Sequence, residues 1–172
     1  MECLRLVKGW QVAKGEQPEA NAIAAKWFEA KLKQTNAEVN DLFSKYRISE
    51  ALMAVYKLFW DEFSSWYLEM VKPAYGSPID ATTYNQTLSF FETLLKMLHP
   101  FMPFITEELW QHIFDRNEGE SIMRAELKLD APSDEDNAVV YAIESVKQIV
   151  GGVRTVRNQK NIPNKDAVPL AM

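Results

Sequence analysis

The sequence predicts an all-α fold, an antiparallel bundle of about five helices, and three observations lead there. Apolar residues recur three and four positions apart over most of the 172 residues, the helical rather than the alternating period. Prolines and glycines gather between these stretches, in "KPAYGSP" and "HPFMP", where they end one helix and begin the next. With 47% hydrophobic residues the chain can bury a single core, and it is long for a simple four-helix bundle.

The opening "ECLRLVKGW" has the pattern of the end of a helix whose beginning is absent, followed by a loop to residue 17. Over 18–46, Ile23, Trp27, Leu32, Val39, Leu42 and Phe43 keep helical spacing with Lys and Glu between them, with a flexure placed near Thr35 and Asn36. "YRIS" is then a turn in which the Ser49 hydroxyl suits an N-cap. The helix that follows carries a broad stripe, Leu52, Val55, Tyr56, Phe59, Phe63, Trp66, Tyr67 and Met70, until Pro73 stops it. A third helix over 83–98 buries Leu88, Phe91, Leu94, Leu95 and Leu98.

The stretch "HPFMPFITEELWQHI" at 99–113 holds two prolines, two carboxylates, a tryptophan and a histidine, and reads as a corner between helices. Pro100 has no amide to donate and disfavours a helical residue before it, whereas Pro103 suits a first helical turn. Phe101, Met102 and Phe104 are expected to fill the corner, with Glu107 and Glu108 near the positive end of the helix dipole. A polar connection at 115–132 follows, with one extended piece expected at 122–129. Ser133 and Asp136 have capping-box spacing at the head of a last helix, 133–160, which Gly151 and Gly152 weaken in its middle. The final "DAVPLAM" turns β-like, and both ends look cut. The organisation expected is one domain: an entering helix end and loop over 1–17, a four-helix core over 18–114, the connection, the exit helix, and the start of a next region over 161–172.

Little in the chain suggests chemistry. His99 and His112 are the only histidines, and neither has an acid three residues before it, as a carboxylate-bridged metal site in a bundle requires. Glu108 and His112 are spaced for a helix-surface contact. Cys3 is the single cysteine, which excludes a disulfide framework and suits a reducing compartment, so a cytoplasmic location is expected. No G-x-S-x-G elbow or phosphate-cradling glycine loop occurs, and no catalytic residue, metal or cofactor is expected in the chain itself. No run is long and apolar enough for a membrane span. The net charge of −5 argues against an all-over nucleic-acid coat and leaves room for a local basic patch, for which Lys147, Arg154, Arg157, Lys160 and Lys165 are candidates.

"HPFMPFITEELWQHI", with "SEALMAVYKLFWDEFSSWYLEMVKP" at 49–73, resembles the anticodon-binding helical domain of the valyl-tRNA synthetases, a class I family. "LRLVKGW" resembles the end of that family's first bundle helix, and "VGGVRTVRNQKNIPNKDAVPL" its exit, so the likeness covers nearly the whole chain. The isoleucyl and leucyl families share the architecture, but "HPFMPF" with "WYLEMVKP" favours the valyl branch. The resemblance implies recognition of tRNA(Val) for ATP-dependent aminoacylation, with catalytic and editing domains supplied in cis. The ATP-handling signatures of class I synthetases, His-x-Gly-His and Lys-Met-Ser-Lys-Ser, are absent from this chain. A helical protein-interaction module, its grooves receiving a partner's amphipathic helix, is the competing expectation.

If consecutive helices run antiparallel, the end of the entering helix, the start of the next near Pro18 and the end of the 49–71 helix meet at one pole. There Arg5, Lys8 and Lys72 are expected to neutralise phosphates, while Leu6, Trp10, Tyr67 and Leu68 offer apolar or stacking surface to unstacked bases. Arg154 and Arg157 are expected to contact RNA from an exit helix that returns toward the parent's body.

Overall fold

The computed structural model describes residues 2–163, with side chains from residue 5 onward. In chain order the elements are α1 (Glu2–Lys8), β1 (Val12–Ala13), α2 (Glu19–Ser44), α3 (Ile48–Lys57), a π-helical segment (Leu58–Tyr67), α4 (Leu68–Val71), β2 (Ile79–Asp80), α5 (Ala81–Leu98), α6 (Pro103–Ile113), a 3-10 turn (Ile122–Arg124) and α7 (Asp134–Lys160). The predicted helical bundle is what forms. Lys165 and the β-like 166–172 of the sequence reading lie outside the described residues.

Aromatic rings make the centre. Phe28 on α2 lies 5.2 Å from Phe63, 5.1 Å from Tyr67 and 5.3 Å from Phe90, ring centre to ring centre, so it joins α2, the π-helical segment and α5. Contacts of this kind contribute ~0.5–1.5 kcal/mol each beyond the area they bury. Trp27, Leu58, Leu94 and Leu95 complete the dry interior.

The rod from 48 to 71 is not one regular α-helix. Its inward rings Phe59, Phe63 and Tyr67 repeat every four residues, and in an α-helix such a repeat drifts by about 40° per step. The wider π-helical turn takes up that drift and keeps the three rings in file, with Phe63 and Tyr67 stacked at 5.6 Å and 19°. The Leu68 amide accordingly donates to the Phe63 carbonyl five residues back.

Several local expectations need correcting. Ser49 is not the N-cap; Tyr46, at φ 58°, reverses the chain early enough that Arg47 takes the cap position, and its guanidinium pairs with Glu50. Asp80 caps α5 instead, accepting from the Thr83 amide at 2.7 Å. Residues 122–129 hold a 3-10 turn and no strand, because Ile122 buries and the Glu107 carboxylate accepts from the Ser121 hydroxyl at 2.7 Å and the Ile122 amide at 3.2 Å. The strands that do form, β1 and β2, pair in parallel as Val12 with Ile79 and Ala13 with Asp80, and at two residues each are too short to show alternation in sequence. α2 runs unbroken through Thr35 and Asn36, and α7 through Gly151 and Gly152.

The proline corner is a corner, but Phe104 does not fill it. Phe104 is 90% exposed and Met102 half so, since both face outward at the start of α6. Phe101 stacks on Phe43 at 5.7 Å, and the buried Thr106 hydroxyl bonds the Met102 carbonyl at 2.8 Å and His99 Nδ1 at 2.7 Å. Glu107 and Glu108 sit beyond the first turn of α6, so the dipole does not explain them. Trp110 is buried, donates from Nε1 to Glu92 at 2.8 Å, and carries the Arg116 guanidinium 3.6 Å above its ring.

The capping box of α7 forms as its spacing predicts: Ser133 Oγ accepts from the Asp136 amide at 3.1 Å and Asp136 accepts from the Ser133 amide at 2.9 Å. Those bonds, with the Lys33 ammonium 3.3 Å away, hold the Asp136 carboxyl below its ordinary pKa. Lys33 is raised in turn: burial works against its charge, and its bonds to Asp136 and Glu29 outweigh it.

Candidate nucleic-acid interface

At one end of the bundle, the last turn of α1 and the loop after α4 enclose an open cleft of about 500 Å³. Arg5, Leu6 and Trp10 form one wall; Lys72 and the 73–77 loop form the other. The loop's shape follows from its residues. Lys72 leaves the helix at ψ 125° ahead of Pro73, and the Ser77 amide closes a turn onto the Ala74 carbonyl at 2.9 Å. Gly76, the third residue of that turn, has φ 78°, a conformation that glycine adopts without a steric cost. Tyr75, the second, is left fully exposed. The β1–β2 pairing and the Ile79 amide on the Gln11 carbonyl, at 2.8 Å, tie the loop to the segment after α1.

The cleft brings together Arg5, Leu6, Trp10 and Lys72 of the sequence-predicted set. Leu6 is nearly half exposed, and Trp10 is partly buried against the core. Lys72 holds Glu69 at 3.0 Å, an exposed ion pair worth little, so a phosphate can compete for the ammonium. Lys8 points elsewhere, donating to the His112 carbonyl at the end of α6.

Tyr67 and Leu68 are corrections. Both are buried on the inward side of the rod, and they offer no surface to a base. The Tyr67 hydroxyl bonds Thr87 Oγ1 at 2.9 Å, and burial pushes its pKa up to about 12. The residue that sequence reasoning missed is Tyr75. Its signal was an aromatic side chain between Pro73 and Gly76, a setting in which a ring has no helix face to bury.

The exit helix is placed by contacts along its length. Asp136 meets Lys33, Lys147 lies 5.3 Å from the Trp27 ring, and the Arg154 guanidinium lies 5.4 Å from the Trp66 ring. α7 therefore crosses α2, its first turn meeting both Lys26 and Lys33, and then follows the rod in the direction of α4, from Glu62 at Lys147 to Trp66 at Arg154. Arg157 donates to the Pro163 carbonyl at 2.8 Å, beyond the left-handed Asn161 that ends α7.

The arrangement suits recognition. Two cations flank apolar and aromatic surface in an open concavity, the combination that takes an unstacked base with its phosphates. Among the described residues no group of three His, Cys, Asp or Glu side chains could hold a metal ion, and no helix is long and apolar enough to cross a membrane. His112 Nδ1 donates to the Glu108 carbonyl at 2.7 Å, which leaves that pair a helix-surface contact.

Comparison with known proteins bears on the same geometry. Residues 25–172 match the family described as the anticodon-binding domain of tRNA ligase. The chain is 63% identical over 166 residues to the valine–tRNA ligase of Phocaeicola vulgatus, covering 96% of this chain and 19% of that protein. With that of Parabacteroides distasonis the identity is 66% over 167 residues, again 96% and 19%. With that of Enterococcus faecalis it is 32% over 167 residues, 95% and 19%. The chain thus spans about a fifth of the length of the curated relatives it matches. On the matched span and the helical bundle together, this chain belongs to the anticodon-binding domain family of the tRNA ligases.

Proposed function

We propose that the chain recognises the anticodon arm of tRNA(Val) within a cytoplasmic valine–tRNA ligase, whose catalytic and editing domains perform the ATP-dependent aminoacylation. The similarity to valine–tRNA ligases supports the choice of amino acid. The observation that carries the reading is the cleft, where Arg5 and Lys72 flank Leu6, Trp10 and the exposed Tyr75. A loop base stacks on the aromatic wall while its neighbouring phosphates meet the two cations. The chain itself supplies recognition and no bond chemistry.

The test is binding of a tRNA(Val) anticodon stem-loop as a function of salt. Counterion release makes the affinity fall steeply with salt, and Arg5→Ala and Lys72→Ala should each lower the log–log slope by about 1. A stem-loop that bound with no salt dependence, or with full affinity to both variants, would contradict the reading. ATP–pyrophosphate exchange should stay at background in a clean preparation of the chain.

A further inference from the structure

The acid-free basic run of the exit helix begins with Lys147, yet Lys147 is not at the surface. Its side chain is one-tenth exposed, and its ammonium donates to Glu62 Oε2 at 2.6 Å and Glu144 Oε1 at 3.0 Å. It also lies 5.3 Å from the ring centres of both Trp27 and Trp66. Lys31 on α2 closes the cluster, 3.4 Å from Glu62 and 3.7 Å from Glu144. Two ammoniums and two carboxylates thus meet between two indoles, where α2, the π-helical segment and α7 converge. Glu62 and Trp66, four apart on the π-helical segment, both face α7, and Trp66 receives Arg154 one step further along.

We infer that Lys147 is a positioning residue for RNA recognition: gripped by Glu62 and seated between Trp27 and Trp66, it holds the exit helix so that Arg154 lies against Trp66, on the rod whose far end, at Lys72, borders the cleft. The inference rests on the RNA reading above. Its physical basis is that the half of α7 beyond Lys147 presents no fully buried residue among those described and meets the rod through Arg154 on Trp66, so its direction leans on the anchor at Lys147. A partly buried ion pair with complete partners fixes geometry more than it adds stability. Lys147 acts through Arg154 and does not itself meet a phosphate.

The experiment combines hydrogen exchange of the α7 amides with stem-loop affinity, for the unaltered chain, Lys147→Met, Lys147→Arg, Glu62→Gln, Arg154→Ala and the Lys147→Met/Arg154→Ala pair. Lys147→Met and Glu62→Gln should speed exchange over 148–160 while α2 stays protected. Each should weaken the stem-loop by about fivefold, toward the low end of the range for coupled residues. Lys147→Arg should restore both readouts, and Lys147→Met should add nothing once Arg154 is alanine. Unchanged exchange over 148–160, or losses that multiply in the double variant, would overturn the inference, the second result marking Lys147 as a direct contact. An unaltered chain that did not bind the stem-loop would overturn it through its premise, and the exchange data would then tell whether the clasp itself stands.

Discussion

The proline corner and the cleft lie at contrasting places in the same bundle, and they use similar residues to opposite ends. At the corner the polar side chains pair with one another: His99 with Thr106, Glu107 with Ser121 and Ile122, Trp110 with Glu92, and Arg116 with both Glu92 and the Trp110 ring, although the buried Arg116 Nε has no protein partner. At the cleft, Lys72 has only an exposed neighbour, and Tyr75 stands fully in solvent. A tryptophan beside an arginine therefore means a packed, ion-paired joint in one place and a receptive surface in the other. What separates them is burial and partnership, which residue types alone do not report.

That contrast can be broken by substitution. Trp110→Ala should have the largest effect, a loss of ~3–5 kcal/mol in unfolding free energy by denaturant titration, since it empties an aromatic volume and leaves Glu92 short of a donor. Tyr75→Ala should reverse the pattern: stem-loop binding weakened by ~1–3 kcal/mol, with thermal stability nearly unchanged. Equal stability losses for the two would erase the distinction.

Smaller effects sharpen it. Asp136→Asn should cost about 1 kcal/mol at neutral pH, the usual worth of a helix cap. Its folded carboxyl is held below the ordinary value by the Ser133 bonds and Lys33, so its contribution is present above the unfolded pKa and is lost as pH falls through the folded one. The stability of the unaltered chain should decline on acidification below the ordinary aspartate pKa, and that of the variant should decline less. Pro103→Ala should be mildest, under about 1 kcal/mol, because it removes only a first-turn preference. A large loss there would mean that the corner depends on its proline and not on Thr106 and Trp110.

The sequence carried the bundle because periodicity is set by burial: Trp27, Phe63, Leu88 and Leu94 sit inside where their spacing puts them. The two prolines placed the corner, and Ser133 with Asp136 placed the start of α7 within a residue. The π-helical segment was not legible, since residues four apart fall near one face in either kind of helix. The cleft was half legible. Antiparallel topology gave the pole and so Arg5, Leu6, Trp10 and Lys72, but the inward rotation of Tyr67 and Leu68 depends on packing against Phe28, Phe90 and Thr87 from distant elements. The course of α7 was not legible because two ion pairs aim it, Asp136 with Lys33 and Lys147 with Glu62, whose members lie 103 and 85 residues apart in sequence.

The most direct test of where recognition happens is to titrate the isotope-labelled chain with the tRNA(Val) anticodon stem-loop and map the backbone amide shifts. The account predicts that shifts concentrate in 5–10 and 72–77, with a weaker set near Arg154, while 99–113 stays unmoved. Shifts centred on the corner, at the exposed Phe104 and its neighbours, with the cleft silent, would contradict it.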